Sequence, residues 1–380
     1  MFFIIFFSIY TIGNFYLFIR GWQSLEMMGR QRVWFAVIFW VVALSFIFTQ
    51  MLQMRTVSGV LPDIFFRISS FWIAVMLYGF LMLFTIDIVR IIGWAGNIRP
   101  ELIYRNYLLT KAVMFGMVCL IMTVILTAGY SNAHRPRATC LKIPIDKTAG
   151  QMTGLRVVMV SDIHLGHITG RRSLARIVDA MNEQHPDIAF LVGDTFDGAI
   201  GEVINKDMGA EFDRLQTVYG TYMVGGNHEY IGERMTKNAK DAAFDYLKTH
   251  GVQPLLDSVV LMNGSFYVVG RMDASVRARK TIPELLEGID RQLPVIMLDH
   301  QPFHLDLVEQ AGVDLQLSGH THHGQMWPLN YVTRRLYEID WGLLQKGKSN
   351  FYISCGVGTW GPPIRNAGRS EVVVIDLEFN

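Results

Sequence analysis

The chain has 380 residues, 51% of them hydrophobic where a soluble domain has roughly 45–50%, and a formal net charge of +1. Residues 1–132 carry four acidic side chains (Glu26, Asp63, Asp87, Glu101) and nine basic ones, whereas residues 133–380 carry the other 29 acidic residues, 25 basic ones and all eleven histidines. A membrane half is therefore followed by a mildly acidic water-soluble half, which argues against a basic nucleic-acid platform, while ordinary Pro and Gly content and only three cysteines exclude disorder, collagen and a disulfide scaffold.

A bilayer core about 30 Å thick needs about 20 largely apolar residues as a helix. Residues 2–18, 33–51, 64–86 and 112–130 supply four such stretches. The first is not a cleavable signal peptide, because it lacks a basic n-region, is aromatic throughout and runs on to another span with no small-residue cleavage site between them. A multi-pass protein of the cell (inner) membrane is expected. Arg20, Arg30 and Arg32 follow the first span and Arg90, Arg99, Arg105 and Lys111 the third, while Arg55 and Arg67 alone follow the second. The positive-inside rule then puts loops one and three in the cytoplasm and both termini outside. Arg135, Arg137 and Lys142 pull the other way, but they lead into a long domain, which translocates largely regardless of charge. Asp87 and Arg90, one turn apart, are expected to neutralise each other at the cytoplasmic end of the third span. With no charge buried mid-span, a transporter or channel has little support, and the helices read as an anchor that also shapes access for a lipid. Cys119, in the fourth span, reads as a small apolar residue.

Residues 133–153, with Pro136, Pro144 and Gly150, read as a linker plus an edge strand around 140–145. From 154 to 380 the pattern predicts strands at 155–161, Ile188–Val192, Thr221–Val224, Val295–Leu298 and 313–317, and helices at 173–184 and Ala239–Thr249. Such alternation implies one α/β domain, a β-sandwich of mixed sheets flanked by helices. Polar residues recur just beyond the strands, where open α/β sheets bind ligands. They are Asp162-Ile163-His164, Gly193-Asp194-Thr195-Phe196-Asp197, Gly225-Gly226-Asn227-His228-Glu229, Asp299-His300-Gln301-Pro302 and Ser318-Gly319-His320-Thr321-His322. Imidazole suits Zn, Fe and Mn, carboxylate and amide oxygens suit harder ions, and one carboxylate can bridge two metals. Two ions roughly 3.5–4 Å apart can clamp a phosphoryl group, lower the pKa of a bridging water and stabilise the attacking and leaving oxygens. Gly193, Gly226 and Gly319 are expected to allow the tight turns that bring these groups together. Each motif alone is weak, but five in order at consecutive strand ends are not.

At these residues the sequence resembles the calcineurin-like metallophosphoesterase superfamily, whose series runs D-x-H, G-D-x-x-D, G-N-H-[DE], a lone His and G-H-x-H. The resemblance covers about residues 154–378, and Gly319-His320-Thr321-His322-His323-Gly324-Gln325 looks like the G-H-T-H-G-G-Q form of its membrane-associated bacterial branch. His323 stands where that branch usually has Gly and is expected at the cleft mouth; four spans rather than one or none are a second departure. The resemblance implies two divalent ions per chain (Mn, Fe, Zn or Ni, with manganese favoured). Asp162, His164 and His322 would hold one, Asn227, His300 and His320 the other, and Asp194 would bridge. His228 would be the catalytic acid, protonating the leaving oxygen or bonding the phosphoryl group. Asp197, Glu229 and Asp299 would orient metal-bound histidines, and Arg365 lies where the branch carries an Arg near the cleft, open to a substrate phosphate.

The other histidines, His134, His185, His250 and His304, read as solvated or helix-end residues, and His167 as a loop imidazole beside the site. Arg171-Arg172 and the stretch from Arg271 to Lys280 read as solvated faces, and Cys140 and Cys355 leave a disulfide open. The expectation is a membrane-anchored dinuclear-metal phosphoesterase acting on a phosphodiester, pyrophosphate or monoester, with a lipid-linked or envelope substrate on the extracytoplasmic side. Its partners would be a phosphorylated small-molecule or lipid-linked substrate and the bilayer, with no nucleic acid and no protein partner inferred. One alternative is a cytoplasmic-face pyrophosphatase like the UDP-diacylglucosamine hydrolases of lipid A synthesis; another is a membrane sensor or scaffold whose esterase-like domain only binds.

Overall fold

The computed structural model describes residues 2–54, 59–98, 100–101, 105–198, 200–235 and 238–380. The chain divides into two compact units, Met1–Gly129 and Tyr130–Asn380. In the first, apolar runs with no proline beyond the first turn form α1 (Phe2–Ser24), α2 (Arg32–Met54), α3 (Val60–Ala95) and α4 (Tyr107–Ala133). All four are long and apolar enough to cross a membrane. Each is longer than the pattern predicts, because helical geometry continues past the apolar stretch into polar ends such as Arg20 and Arg90. Polar groups between helices bond one another where lipid offers nothing: Trp72 Nε1 donates to Asn14 Oδ1 at 2.9 Å, and Thr49 and Ser69 hydroxyls meet at 3.0 Å. The expected Asp87–Arg90 pair forms, with the guanidinium 3.4 Å from Asp87 Oδ1, and the carboxylate takes further partners from α1, the Tyr16 hydroxyl at 2.6 Å and the Arg20 guanidinium. The loop cations Arg55 and Arg99 lie outside the described residues.

The second unit holds two six-stranded sheets. Its strands are β1 (Arg137–Ile145), β2 (Gly154–Val160), β3 (Ile188–Val192), β4 (Thr221–Val224), β5 (Val252–Pro254), β6 (Ser258–Met262), β7 (Phe266–Gly270), β8 (Val295–Leu298), β9 (Leu315–Ser318), β10 (Gly342–Lys346), β11 (Ser349–Ile353) and β12 (Glu371–Phe379). One sheet runs β1-β12-β2-β3-β4-β5 and the other β10-β11-β9-β8-β7-β6. Within them β2 to β5 run parallel, as do β7, β8, β9 and β11, while β12 against β2, β6 against β7 and β10 against β11 are antiparallel. Parallel strands read as unbroken Val/Ile/Leu/Met runs because both faces are covered. Val157, Met159, Phe190 and Ile375 meet Val268, Ile296, Leu298 and Leu317 between the sheets. On one outer face, Val158, Val160 and Leu191 pack on α5 (Arg171–Asn182) and α8 (Ala239–Thr249), with α6 (Ile200–Asn205) and α7 (Asn227–Met235) preceding α8. On the other, Val269, Val295 and Met297 pack on α9 (Ile282–Leu285) and α10 (Leu305–Gln310), and α11 (Asn330–Leu336) follows β9. This is the expected α/β sandwich of mixed sheets. Cys140 is exposed on β1 and Cys355 buried, and both are free thiols.

Candidate metal centre

β2, β3 and β4 run parallel in one sheet and β8 and β9 in the other, so their carboxyl ends deliver polar loops to common edges. Backbone bonds tie the loops together: Asp162 N–H donates to Gly193 O at 3.0 Å, His164 N–H to Asp194 O at 3.0 Å, and Gly319 N–H to His300 O at 2.9 Å. Asp162, His164, Asp194, His320 and His322 all sit in the left-handed region, with φ of 56°, 53°, 51°, 71° and 50°. Non-glycine residues held there cost about 1–3 kcal/mol each, a strain that persists where side-chain direction is worth more than backbone ease. The glycines serve a purpose beyond the expected turns. A Cβ on Gly226 would overlap Asp194 Oδ1 and come within 2.6 Å of Asp194 N, so this glycine is required by close approach, without a positive φ.

Asp162, His164 and His322 each offer a ligand atom within 4.8 Å of the others, and so do Asp194, His300 and His320. His322 Nε2 lies 3.1 Å from His164 Nε2 and 3.3 Å from Asp162 Oδ1. Asp194 Oδ2 stands between the trios, 3.9 Å from His164 Nε2 and 3.2 Å from His300 Nε2. Asn227 Oδ1 is buried and makes no hydrogen bond. Buried polar atoms without partners are rare. A convergent set of carboxylate, amide and imidazole donors with such an atom fits a pair of divalent cations. Burial alone would strip the proton from His300, but the charge of Asp194 overrides it and holds the imidazole well above its usual range. His320 falls to about 4 through burial and repulsion from His300, and burial beside His164 and Arg365 takes His322 well below its ordinary value.

A model of the calcineurin-like phosphoesterase family matches residues 155–324. A transmembrane protein with metallophosphoesterase domain from Bos taurus is 30% identical over 309 residues, which cover 76% of this chain and 67% of that one. A metallophosphoesterase of Aquifex aeolicus is 30% identical over 235 residues, covering 60% of this chain and 86% of its own. The chain belongs to the calcineurin-like phosphoesterase family. Another metallophosphoesterase, from Campylobacter jejuni, is 25% identical over 377 residues and covers 97% of this chain and 96% of its own, so the similarity extends through the four apolar helices. This family member is thus a metal-dependent phosphoric ester hydrolase and a membrane protein.

Around the ligand candidates of this phosphoesterase, several side chains do other things than expected. His228 Nδ1 lies 3.3 Å from Asp197 Oδ1, and its backbone N–H donates to Asp194 Oδ1 at 2.9 Å. With His164 and Asp194 it also makes a third trio within reach of an ion. Burial works against its proton, but Asp194 and Asp197 lift its pKa to about 9. Asp197, also 3.6 Å from His164 Nδ1, is brought to about 2 by those two imidazoles against the cost of burial. Glu229 spends its hydrogen bonds on backbone instead of on a histidine ring. It accepts the backbone N–H groups of Asp194 (3.0 Å), Phe196 (2.9 Å) and Gly226 (2.6 Å), locking two ligand loops together, and burial followed by the charge of Asp194 raises it to about 7.

Asp299 likewise accepts from Arg271 at 3.1 Å and Arg279 at 3.4 Å instead of orienting a histidine, and burial still raises it to about 6. The stretch expected to be a solvated face therefore turns Arg271 inward, because that buried carboxylate needs a cation. Asp273, fully buried and held by Gln301 Nε2 at 2.8 Å, is a site-wall residue that sequence reasoning missed; its signal is its position just past β7. Arg365 is also fully buried, donating to the carbonyls of Cys355, Gly358 (2.6 Å) and His322 (3.3 Å) and facing His322 Nδ1 at 3.3 Å. It braces the ligand loop from behind and is closed to a substrate phosphate. His323 does not reach the cleft mouth either: with left-handed backbone at both 322 and 323, its ring turns inward to Asp340 Oδ2 at 2.9 Å. His167 stands 4.0 Å from Glu202, and His250 bonds Asp213 at the end of α8.

Proposed function

We propose a dinuclear phosphoesterase with a transmembrane region over 1–132, a linker and edge strand over 133–153 and a hydrolase domain over 154–380. It acts on a phosphodiester, pyrophosphate or monoester carried by a lipid-linked or envelope molecule on the extracytoplasmic side of the cell (inner) membrane. The observation that carries the reading is Asp194, which shares one trio of ligand atoms with His164 and His228 and another with His300 and His320, together with the buried, orphaned Asn227 Oδ1. Asp162, His164 and His322 would hold one ion and Asn227, His300 and His320 the other, with Asp194 shared by both. Two bound divalent ions supply Lewis acidity to phosphoryl oxygens and an activated water nucleophile, with manganese favoured. The chain's own residues do the rest. Asp197 holds the His228 ring with a proton to give, and His228 donates it to the leaving oxygen or the phosphoryl group. Glu229 keeps the Asp194 and Asn227 loops in register through three backbone bonds. The substrate class is supported by the membrane helices and by the apolar Met326-Trp327-Pro328-Leu329 segment that follows the ligand loop.

The test is metal stoichiometry with activity on purified full-length protein, against a panel of monoesters, diesters and nucleotide- or lipid-linked pyrophosphates, each with Mn, Fe, Zn and Ni. The wild type should bind two ions and lose hydrolysis on chelation, and Asp194→Ala should lose both ions. A fully loaded Asp194→Ala protein would end the bridging assignment.

A further inference from the structure

The rim beside the ligand loop carries an apolar surface that the sandwich leaves uncovered. Trp327 is 50% exposed, Tyr331 60%, Val332 52%, Leu336 70% and Trp360 55%. Single exposed hydrophobic residues are ordinary, whereas aromatic and aliphatic groups gathered on one rim mark a contact surface. This rim is rigidly joined to the ligand loop but lies outside the ligand set. Buried Met326 and Asn330 anchor it, and Gly324, at φ +68°, lies so close to Leu329 and Asn330 that a Cβ would overlap their backbone, pressing α11 onto the loop of His322. The Gln325 side chain bonds the Trp360 backbone at both its N–H (2.8 Å) and its carbonyl (3.0 Å), tying the Trp360 segment to the loop that carries Trp327. On the cleft side the Tyr337 ring lies 6.2 Å from that of His320 and 5.5 Å from that of Phe303. Arg334 and Arg335, in the last turn of α11, are exposed, and among the described residues neither pairs with a carboxylate.

Amphipathic Trp and Tyr rings with branched aliphatics and adjacent cations are the composition that settles at a membrane interface. Exposed arginines there meet anionic head groups, about 1 kcal/mol apiece. A bilayer is always within reach: only residues 134–136 separate the end of α4 from β1, about 10 Å at full extension. We propose that this rim, residues 327–336 with Trp360, docks on the surface of an anionic bilayer and so presents the cleft to phosphates borne by lipids. The docking stands on the rim alone; what the docked domain hydrolyses rests on the phosphoesterase reading.

The test uses full-length protein in vesicles of phosphatidylcholine with or without phosphatidylglycerol, Cys140 replaced by Ser, and spin labels on Val332→Cys, Leu336→Cys or, as a control on an exposed site elsewhere, Val218→Cys. In anionic vesicles the labels at 332 and 336 should be reached by oxygen and shielded from a water-soluble nickel chelate, and the label at 218 should not. Replacing Arg334 and Arg335 by Gln should weaken docking about thirtyfold with metal content unchanged. Equal nickel access at 332 and 218 would overturn the proposal, as would label–label broadening at 332, which would make the rim an interface between copies. In a second arm, Tyr331→Ser with Leu336→Ser should keep turnover of nitrophenyl phosphate and lose it on a vesicle-embedded lipid phosphate; equal loss on both would also overturn the proposal. Hydrolysis of neither substrate by the wild type would end the phosphoesterase reading while leaving the label result to decide docking.

Discussion

His228 follows Asn227 directly, and the start of α7 points it at Asp197 while its backbone stays on Asp194. Replacing it with Gln should keep both ions and lower turnover by the roughly 10²–10⁴ expected of a lost proton donor. The loss should shrink for nitrophenolate, a leaving group that needs little protonation. Metal analysis alongside kinetics decides the matter, since a loss of ions in this variant would make His228 a ligand, as its place in a trio with His164 and Asp194 permits. Arg365 offers a contrast at the same scale. Because it feeds buried carbonyls, Arg365→Met should cost about 1–3 kcal/mol through groups left unpaired, read as a fall in Tm, with KM for soluble esters little changed. A raised KM at unchanged Tm would instead put its guanidinium on the substrate.

At the scale of elements, α5 is tied to the turn at Met208–Arg214 through Glu211, which accepts from Arg171 and Arg214 at 2.7 Å each. The Arg171 bond, then that of Arg214, holds this carboxyl below its ordinary 4.5. A folded-state value lowered in this way adds stability that is complete above the unfolded value and is lost as pH falls through the folded one. The stability of full-length protein should therefore decline below about pH 4.5. Glu211→Gln should remove on the order of 1 kcal/mol of that decline, the arginines being half exposed and screened. Thermal melts of the two proteins between pH 3 and 7 check it, and superimposable curves would deny the pair a role. The strands that carry ligands were legible because each is an apolar run ending in a polar cluster. β6 and β7, and likewise β10 and β11, were not, although Asn263-Gly264 and Gly347-Lys348 are hairpin signals. The outer strands of that sheet are short and partly exposed, so their hydrophobic pattern is weak.

For the whole molecule the positive-inside rule, applied to the cations in loops one and three, predicts Asn380 outside, so a reporter active only beyond the cytoplasm, fused after that residue, should be active. A silent reporter paired with an active cytoplasmic one would favour a cytoplasmic-face pyrophosphatase. The sequence by itself determined the division into four apolar helices and an α/β domain, and it singled out the residues brought together around Asp194. Apolar length and strand-end polarity are local patterns, readable wherever they occur. Only the tertiary structure decided that Asp87 takes Tyr16 and Arg20 in addition to Arg90, that Arg271 and Arg365 go inside, that Glu229 binds backbone and that His323 turns to Asp340. A buried charge or polar group takes whichever partner the packed chain brings within about 3 Å, and sequence order does not say which of the candidates, near or tens of residues away, that will be.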